Sequence, residues 1–358
     1  MLDIAYTGVL QLHLFTSLPC LHKVSQPHQS MDTEDTASLV NTISSFLAPQ
    51  HVTSLRDLEH VWKTQDKCAR SSQLPIDVIV LCGSAILHTA ETVFRTLQQY
   101  QNSNARHSHR LILVICGGHG HSTQFLYDAI AAHPKYRVLL DEISGSAESR
   151  VLELIAVRYF GLPTANDDTA SIDQSAQKPG EIFVIVEDQS TNCGANAAKT
   201  KEALDEHGIT SPRTIVVCQE PTMCRRTIAS FQQVYSGAGN RVPKFYGWPT
   251  FVPTVVDIRT SNTESTPGGQ SDSSVLTQLA FDCSLAGVPI SAEGLWTMPR
   301  FLDLILGEIP RMRNDEHGYG PNGKGFIAAV DIPDEVEAAW HVVFKFFKGT
   351  RASETSGK

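Results

Sequence analysis

A buried strand passes directly into a polar helix start in the segment IFVIVEDQSTNCGAN, residues 182–196. Its first five residues are all apolar, which is typical of a central strand covered on both faces of a parallel sheet. Two carboxylates follow at 187 and 188, and hydroxyl and amide side chains follow at 189–192. In an open α/β sheet, ligands bind at the carboxyl ends of the strands. The segment therefore predicts a binding site at this edge.

The composition indicates a globular protein with a negative net charge. The chain has 358 residues, of which 41% are hydrophobic and 19% are charged, and its formal net charge is −9. This charge disfavours nucleic acid and acidic membrane surfaces as partners, and it is compatible with a cationic small ligand. The eight cysteines include no Cys-x-x-Cys pair, which favours free thiols in a reducing compartment.

The sequence also predicts a cytoplasmic location without a membrane partner. No apolar run reaches the roughly 18–20 residues that a membrane span needs. Asp3 precedes any basic residue, so the positively charged start of a signal peptide is missing. The sequence makes no prediction of the oligomeric state.

Strand-like and helix-like segments alternate along the chain, separated by short turns. This alternation predicts an α/β fold with a mostly parallel sheet flanked by helices. Strands are predicted at 77–83, 111–116, 182–186 and 213–218. Helices are predicted at 88–101, from Ser122, from Ser146 to Gly161, from the end of the 182–196 segment to 208, from Thr222, at 295–313 and from Pro333 to Phe346.

A glycine-rich loop follows the second strand and reads GGHGHST, residues 117–123. Glycines allow positive φ and close backbone approach, and the next helix offers unpaired N–H groups. The pattern favours a carboxylate, phosphate or nucleoside ligand; the alternative is a simple βα turn. It is neither a P-loop nor a Gly-x-Gly-x-x-Gly fingerprint. His119 and His121 lack a marked third metal ligand, so no metal is predicted.

The carboxylates Glu187 and Asp188 are candidates for holding ribose hydroxyls or an ammonium group. They are also candidates for acid–base catalysis, together with His119 or His121. The alternative is that these carboxylates only cap the following helix.

The residues after these carboxylates predict a helix start. Ser190, Thr191 and Asn192 are candidate caps. Asn192 and Asn196 are four apart, which predicts a shared helix face. Cys193 lies at the same helix start, but no histidine is marked as its partner for a nucleophilic role.

A third polar segment, QEPTMCRR at residues 219–226, follows the strand at 213–218. Arg225 and Arg226 would lie in the first turns of a helix, where the helix dipole disfavours cations. Their position indicates an anionic partner. That partner is either a ligand or an internal carboxylate such as Glu148, Glu187 or Asp188.

These loops, in this order, resemble the YdcF/SanA-like family over roughly residues 76–340. The resemblance is carried by residues 117–123 with 125–127, by 187–196 and by 221–226. Shorter matches follow at 294–296, 307–308, 310–311 and 318–321. One departure is Ala195, because the family usually has an acidic residue just before the final Asn of its central motif.

The resemblance implies a Rossmann-like domain with a smaller helical C-terminal part, and it implies binding of S-adenosylmethionine. The implied organisation is an N-terminal helical or irregular extension at 1–75, a Rossmann-like domain at 76–258 with a polar insertion at 164–180, a polar loop at 259–274, and a helical part at 275–358 with a disordered tail. The residues expected to line one cleft are Gly83, Ser84, Gly117, Gly118, His119, Gly120, His121, Ser122, Thr123, Glu148, Glu187, Asp188, Ser190, Thr191, Asn192, Asn196, Thr222, Arg225 and Arg226.

Two function classes remain open from the sequence. The first is a cytosolic protein that binds S-adenosylmethionine or a related nucleoside, with an undetermined reaction. The second is a hydrolase or transferase that acts on a phosphorylated or glycosyl small molecule. A ligand sensor without turnover is a variant of the first class.

Overall fold

The centre of the fold is a sheet of five parallel strands. In the computed structural model, the described residues are 33–65, 74–103, 109–164, 181–237, 242–258, 278–283 and 292–355. The strands are β1 Ile76–Cys82, β2 Arg110–Cys116, β3 Ile182–Glu187, β4 Thr214–Cys218, β5 Lys244–Gly247, β6 Val255–Asp257 and β7 Leu279–Phe281. The first five form the sheet in the order β3-β2-β1-β4-β5, and β6 and β7 form a small antiparallel pair.

The helices lie around this sheet. They are α1 Thr33–Leu47, α2 Leu55–Gln65, α3 Leu87–Gln101, α4 Thr123–Ala132, α5 Leu140–Ile143, α6 Glu148–Phe160, α7 Cys193–Glu206, α8 Cys224–Tyr235, α9 Met298–Met312 and α10 Asp334–Thr355. The predicted α/β fold with a parallel, helix-flanked sheet is therefore confirmed, and it is Rossmann-like.

Several observed helix boundaries differ from the predicted ones. The helix predicted from Ser146 begins at Glu148, and the one predicted from Thr222 begins at Cys224. The helix predicted at 295–313 begins at Met298, because Thr297 before it is extended, with φ −63° and ψ 150°. The last helix runs beyond Phe346 to Thr355. Residues 165–180 of the predicted insertion, and the whole loop 259–274, lie outside the described residues.

Most buried apolar side chains belong to three large clusters. One face of the sheet is covered by α2, α3, α4 and α6, and the opposite face by α7 and α8. A third cluster joins α1 to α9 and α10, with Ile43, Ile305 and Trp340 among its members. The α1 helix therefore shares its apolar core with the C-terminal helices, although it lies far from them in sequence.

The register of the strands aligns their carboxyl ends. Cys82 of β1 lies opposite Cys116 of β2, which lies opposite Glu187 of β3. On the other side, Leu81 lies opposite Cys218 of β4. The loops that follow these strands therefore begin at one level, along a single edge of the sheet.

Candidate functional site

The connections leave β1 and β4 toward opposite ends of the sheet, so the strand order changes direction between these two strands. A crevice at such a switch point is the usual ligand site in this architecture. Gly83 and Ser84 follow β1 here, and the Gly83 N–H donates to the Cys116 carbonyl at 2.7 Å. The turn at Gly83 and Ser84 is thereby fixed to the end of β2.

A buried carboxylate, Glu148, lies against Gly83. It is the first residue of α6 and only 5% exposed. Its Oε1 accepts hydrogen bonds from the Ser122 and Thr123 hydroxyls, both at 2.9 Å. A Cβ added to Gly83 would come within 2.9 Å of the Glu148 Cβ and would overlap its Oε2. Glycine is therefore required at 83 for the carboxylate to reach the turn.

A second buried carboxylate, Glu220, reaches the same turn from β4. It is 6% exposed, and it accepts hydrogen bonds from the Ser84 and Thr222 hydroxyls, both at 2.8 Å. Burial raises the pKa of Glu220, although both hydroxyl hydrogen bonds act to lower it. Ser84 also accepts a hydrogen bond from the Ile86 N–H at 3.0 Å, which fixes its hydroxyl.

The two carboxylates thus contact consecutive residues at the centre of the sheet edge. Four hydroxyl groups orient them, and within the described ranges neither Glu148 nor Glu220 has a cation within ion-pair distance. Buried carboxylates without a cationic partner are costly unless a ligand or a proton compensates them. Glu220 was not among the predicted site residues.

The glycine-rich loop uses its amides within the fold. Gly117, with φ 142°, donates to the Glu187 carbonyl at 3.0 Å, and Gly118 donates to the Ser190 carbonyl at 2.7 Å. The Gly120 N–H donates to the Thr123 hydroxyl at 2.8 Å. These three amides are therefore engaged by the protein and do not point to a ligand.

The hydroxyl of Ser122 does not cap α4. No side-chain hydrogen bond closes the start of this helix, and Ser122 donates to Glu148 instead. The hydroxyls of Ser122 and Thr123 therefore donate to the Glu148 carboxylate of α6, and neither caps α4.

A shallow polar pocket of about 370 Å³ lies at the ends of β2 and β3. Its lining residues are His119, Ala147, Arg150, Asp188, Gln189 and Thr191. His119 is exposed, and its Nε2 lies 3.1 Å from the Gly145 carbonyl oxygen. His121 is also exposed, and it does not line this pocket.

Glu187 and Asp188 have different environments despite their adjacency. Glu187 is buried; its Oε1 accepts from the Gln189 and Ser190 N–H groups at 2.7 and 2.8 Å, and its Oε2 has no partner among the described residues. Asp188 pairs with Arg150 at 3.1 Å. Partial burial acts to raise the pKa of Asp188, but hydrogen bonds from Gln189 and Arg150 outweigh it and lower the pKa.

The start of α7 separates the two predicted asparagines. Asn192 is the N-cap, and its Oδ1 accepts from the Ala195 N–H at 3.0 Å, while its side chain stays exposed. Asn196 is inside the helix and buried. The two side chains therefore differ in exposure, although the Asn196 N–H donates to the Asn192 carbonyl at 2.8 Å. Cys193 is buried, and its sulfur lies 3.8 Å from the Met223 sulfur.

The arginines at the start of α8 face other parts of the molecule. The Arg225 Nε donates to the Phe46 carbonyl, and its guanidinium lies 4.1 Å from the centre of the Phe46 ring. Arg226 forms a two-pronged pair with the buried Glu308 of α9. Neither pairs with Glu148, Glu187 or Asp188, so those internal partners, considered from the sequence, are wrong. These contacts place Arg225 against α1 and Arg226 against α9.

No protein-family model matches the chain. The resemblance to the YdcF/SanA-like family therefore stays a prediction. Among the helices that the structure describes, none is both long enough and apolar enough to cross a bilayer. In the same residues, no group of three or more His, Cys, Asp or Glu side chains is arranged to hold a metal ion.

Proposed function

We propose that the protein binds a small cationic ligand at the carboxyl ends of β1 and β4, of the class of S-adenosylmethionine or a related nucleoside. The observation that carries this proposal is the convergence of Glu148 and Glu220 on Gly83 and Ser84. Each carboxylate is buried and oriented by two hydroxyl groups.

Charge is the physical reason for a cationic ligand. An ammonium or sulfonium group placed between two buried carboxylates replaces the solvation that they lost on folding. A bound cation also favours the ionised form of Glu220, whose pKa burial has raised. Ligand binding then releases a proton, so affinity increases as the pH rises through the pKa of Glu220.

The resemblance to the YdcF/SanA-like family supports the nucleoside class, and the resemblance is itself part of the proposal. A cytoplasmic location is proposed with it. All six cysteines in the described ranges are free thiols, as expected for a reducing compartment. The net charge of −9 supports a cationic small molecule rather than nucleic acid as the partner.

The test is calorimetry on the purified full chain with S-adenosylmethionine and with its demethylated product. The two ligands differ by one methyl group and by the sulfonium charge. We expect both to bind, and we expect S-adenosylmethionine to bind more tightly, because it adds the sulfonium charge to the ammonium group that both ligands carry. No heat of binding at millimolar concentrations of either ligand would remove the proposal.

A second candidate function rests on the raised pKa of Glu220. A carboxyl group whose pKa is raised by burial keeps its proton to a higher pH than an exposed one, and such a group can act as a general acid in a hydrolase or transferase. Because Arg225 and Arg226 are held by Phe46 and Glu308, this candidate favours glycosyl over phosphorylated substrates. A glycoside panel tests it: turnover that survives unchanged in Glu220→Gln contradicts a role for Glu220 as the acid.

A further inference from the structure

An exposed aromatic ring meets an arginine whose charge acts on Glu220. The ring belongs to Phe125 of α4, which is 49% exposed. The Arg300 guanidinium carbon, on α9, lies 5.2 Å from the centre of the Phe125 ring. This distance is within the range of a cation–π contact. The contact connects α4 and α9, two helices that are far apart in sequence.

Arg300 connects this pair to the proposed site. Its positive charge acts on Glu220, where it opposes the effect of burial on the carboxyl group. Phe125 lies on the same helix as Thr123, whose hydroxyl binds Glu148. The ring therefore reaches the site on the Glu220 side, through its contact with Arg300.

Arg300, near the start of α9, differs from the two arginines at the end of this helix. Arg311 pairs with Glu308, and Arg313 pairs with Glu337. Arg300 is exposed, and no described acid lies within 4.0 Å of its guanidinium group. Arg311 and Arg313 thus form ion pairs, whereas Arg300 contacts the exposed ring of Phe125.

We infer that Phe125, with Arg300 beside it, is the surface that recognises a flat aromatic group of the ligand. The inference rests on the proposed function and extends it, because it assigns the planar part of a nucleoside to this pair and the cationic part to the carboxylates. A half-exposed ring offers a face for stacking, and a planar guanidinium stacks on aromatic rings as well.

The experiment compares adenosine with L-methionine, which carries an ammonium group but no ring. Each is titrated by calorimetry into the full chain and into Phe125→Ala, Phe125→Trp and Phe326→Ala. Phe326 is the matched control, since it is 59% exposed and packs beside Tyr319 instead. Thermal unfolding of each variant confirms the fold.

We expect Phe125→Ala to weaken adenosine binding by about tenfold, because one stacked base is lost. Phe125→Trp should retain the affinity, and Phe326→Ala should not change it. Methionine should bind all four proteins equally. Equal adenosine affinity of wild type and Phe125→Ala overturns the inference and leaves the proposed function standing. If the wild type binds methionine but not adenosine, the inference also fails. If it binds neither of these nor S-adenosylmethionine, both fail together.

Discussion

The two halves of the sheet edge treat their carboxylates differently. At the ends of β2 and β3, Asp188 is neutralised by Arg150 and faces a shallow pocket. At the ends of β1 and β4, Glu148 and Glu220 are more deeply buried and are met only by hydroxyl groups. In the first half, the carboxylate that lines the pocket has a cation, Arg150, within the chain, and the buried Glu187 is held through its Oε1 by amides of its own loop. In the second half, neither carboxylate has a cation within ion-pair distance among the described residues, although the charge of Arg300 acts on Glu220.

A pocket with measurable volume and a site whose carboxylates lack cationic partners therefore need not coincide. The pocket at Asp188 has volume, but the cation and the anion that line it, Arg150 and Asp188, are paired with each other. At the turn of Gly83 and Ser84, a ligand cation would relieve two desolvated carboxylates. We therefore place the ligand at the second half, and four changes test that choice.

The largest expected effect is on ligand affinity. Glu148→Gln keeps the shape of the side chain and removes its charge. Because a hydrogen bond to a charged group contributes about 1.5–3 kcal/mol, we expect S-adenosylmethionine to bind roughly 10- to 100-fold more weakly. Calorimetry measures the change, and Asp188→Asn is the matched control at the other half of the edge. Equal losses in both variants would contradict the distinction between the halves.

The second effect is on stability, through Gly83. Gly83→Ala places a Cβ against Glu148, and overpacking of this kind costs about 1–3 kcal/mol. Gly237→Ala is the control, because no atom of the described residues, apart from its chain neighbours, lies within 4 Å of its added Cβ. Urea unfolding should show a clear loss for Gly83→Ala and a change within about 1 kcal/mol for Gly237→Ala. An unchanged free energy of unfolding in Gly83→Ala would mean that Glu148 does not need this close approach.

The third effect is a pH dependence from Glu220. Burial raises its pKa above the ordinary 4.5, so as the pH rises the group ionises in the unfolded chain first. The stability that its protonated form contributes is complete below pH 4.5, and it is lost as the pH rises through the folded pKa. Glu220→Gln lacks this loss. Urea midpoints from pH 4 to 8 should therefore shift in favour of the variant as the pH rises; a constant difference would contradict the raised pKa.

The smallest effect concerns the ion pair of Asp188 with Arg150. Both side chains are about one third exposed, so solvent screens the pair and its contribution stays below about 1 kcal/mol. The pKa of Asp188 is lowered from 3.8, so this contribution is present above pH 3.8 and is lost as the pH falls through the folded pKa. Asp188→Asn should lower the free energy of unfolding slightly at pH 7, and this difference should shrink as the pH falls below 3.8. A loss of several kcal/mol would show that the pair is structural.

The strands were predictable because parallel central strands are apolar on both faces. The runs at 182–186 and 213–218 needed no tertiary information, and the strands observed there differ by one residue at an end. Gly161 also ended its helix as predicted, in the left-handed conformation with φ 65°. Local patterns determine these features, so one sequence suffices for them.

The partners at the sheet edge were less predictable, because they depend on strand order. Glu220 binds Ser84 only because β4 lies beside β1, and the chain places Glu220 136 positions after Ser84. For Arg226, an acid such as Glu187 or Asp188 is one of two kinds of partner that the sequence leaves open, and the observed partner Glu308 comes from a helix 82 positions later. Carboxylate density alone pointed to Glu187, whose Oε1 is held by the backbone of its own loop.

The pair between Arg226 and Glu308 has a consequence for the kinetics of ligand exchange. It fastens α9 to α8, and the Trp340 indole N–H fastens α10 to the Leu306 carbonyl of α9 at 2.8 Å. Glu220, just before α8, and Arg300, on α9, are therefore held on one braced unit. We expect ligands to enter and leave through rotation of exposed side chains, on the picosecond-to-nanosecond scale, without waiting for a slower hinge motion.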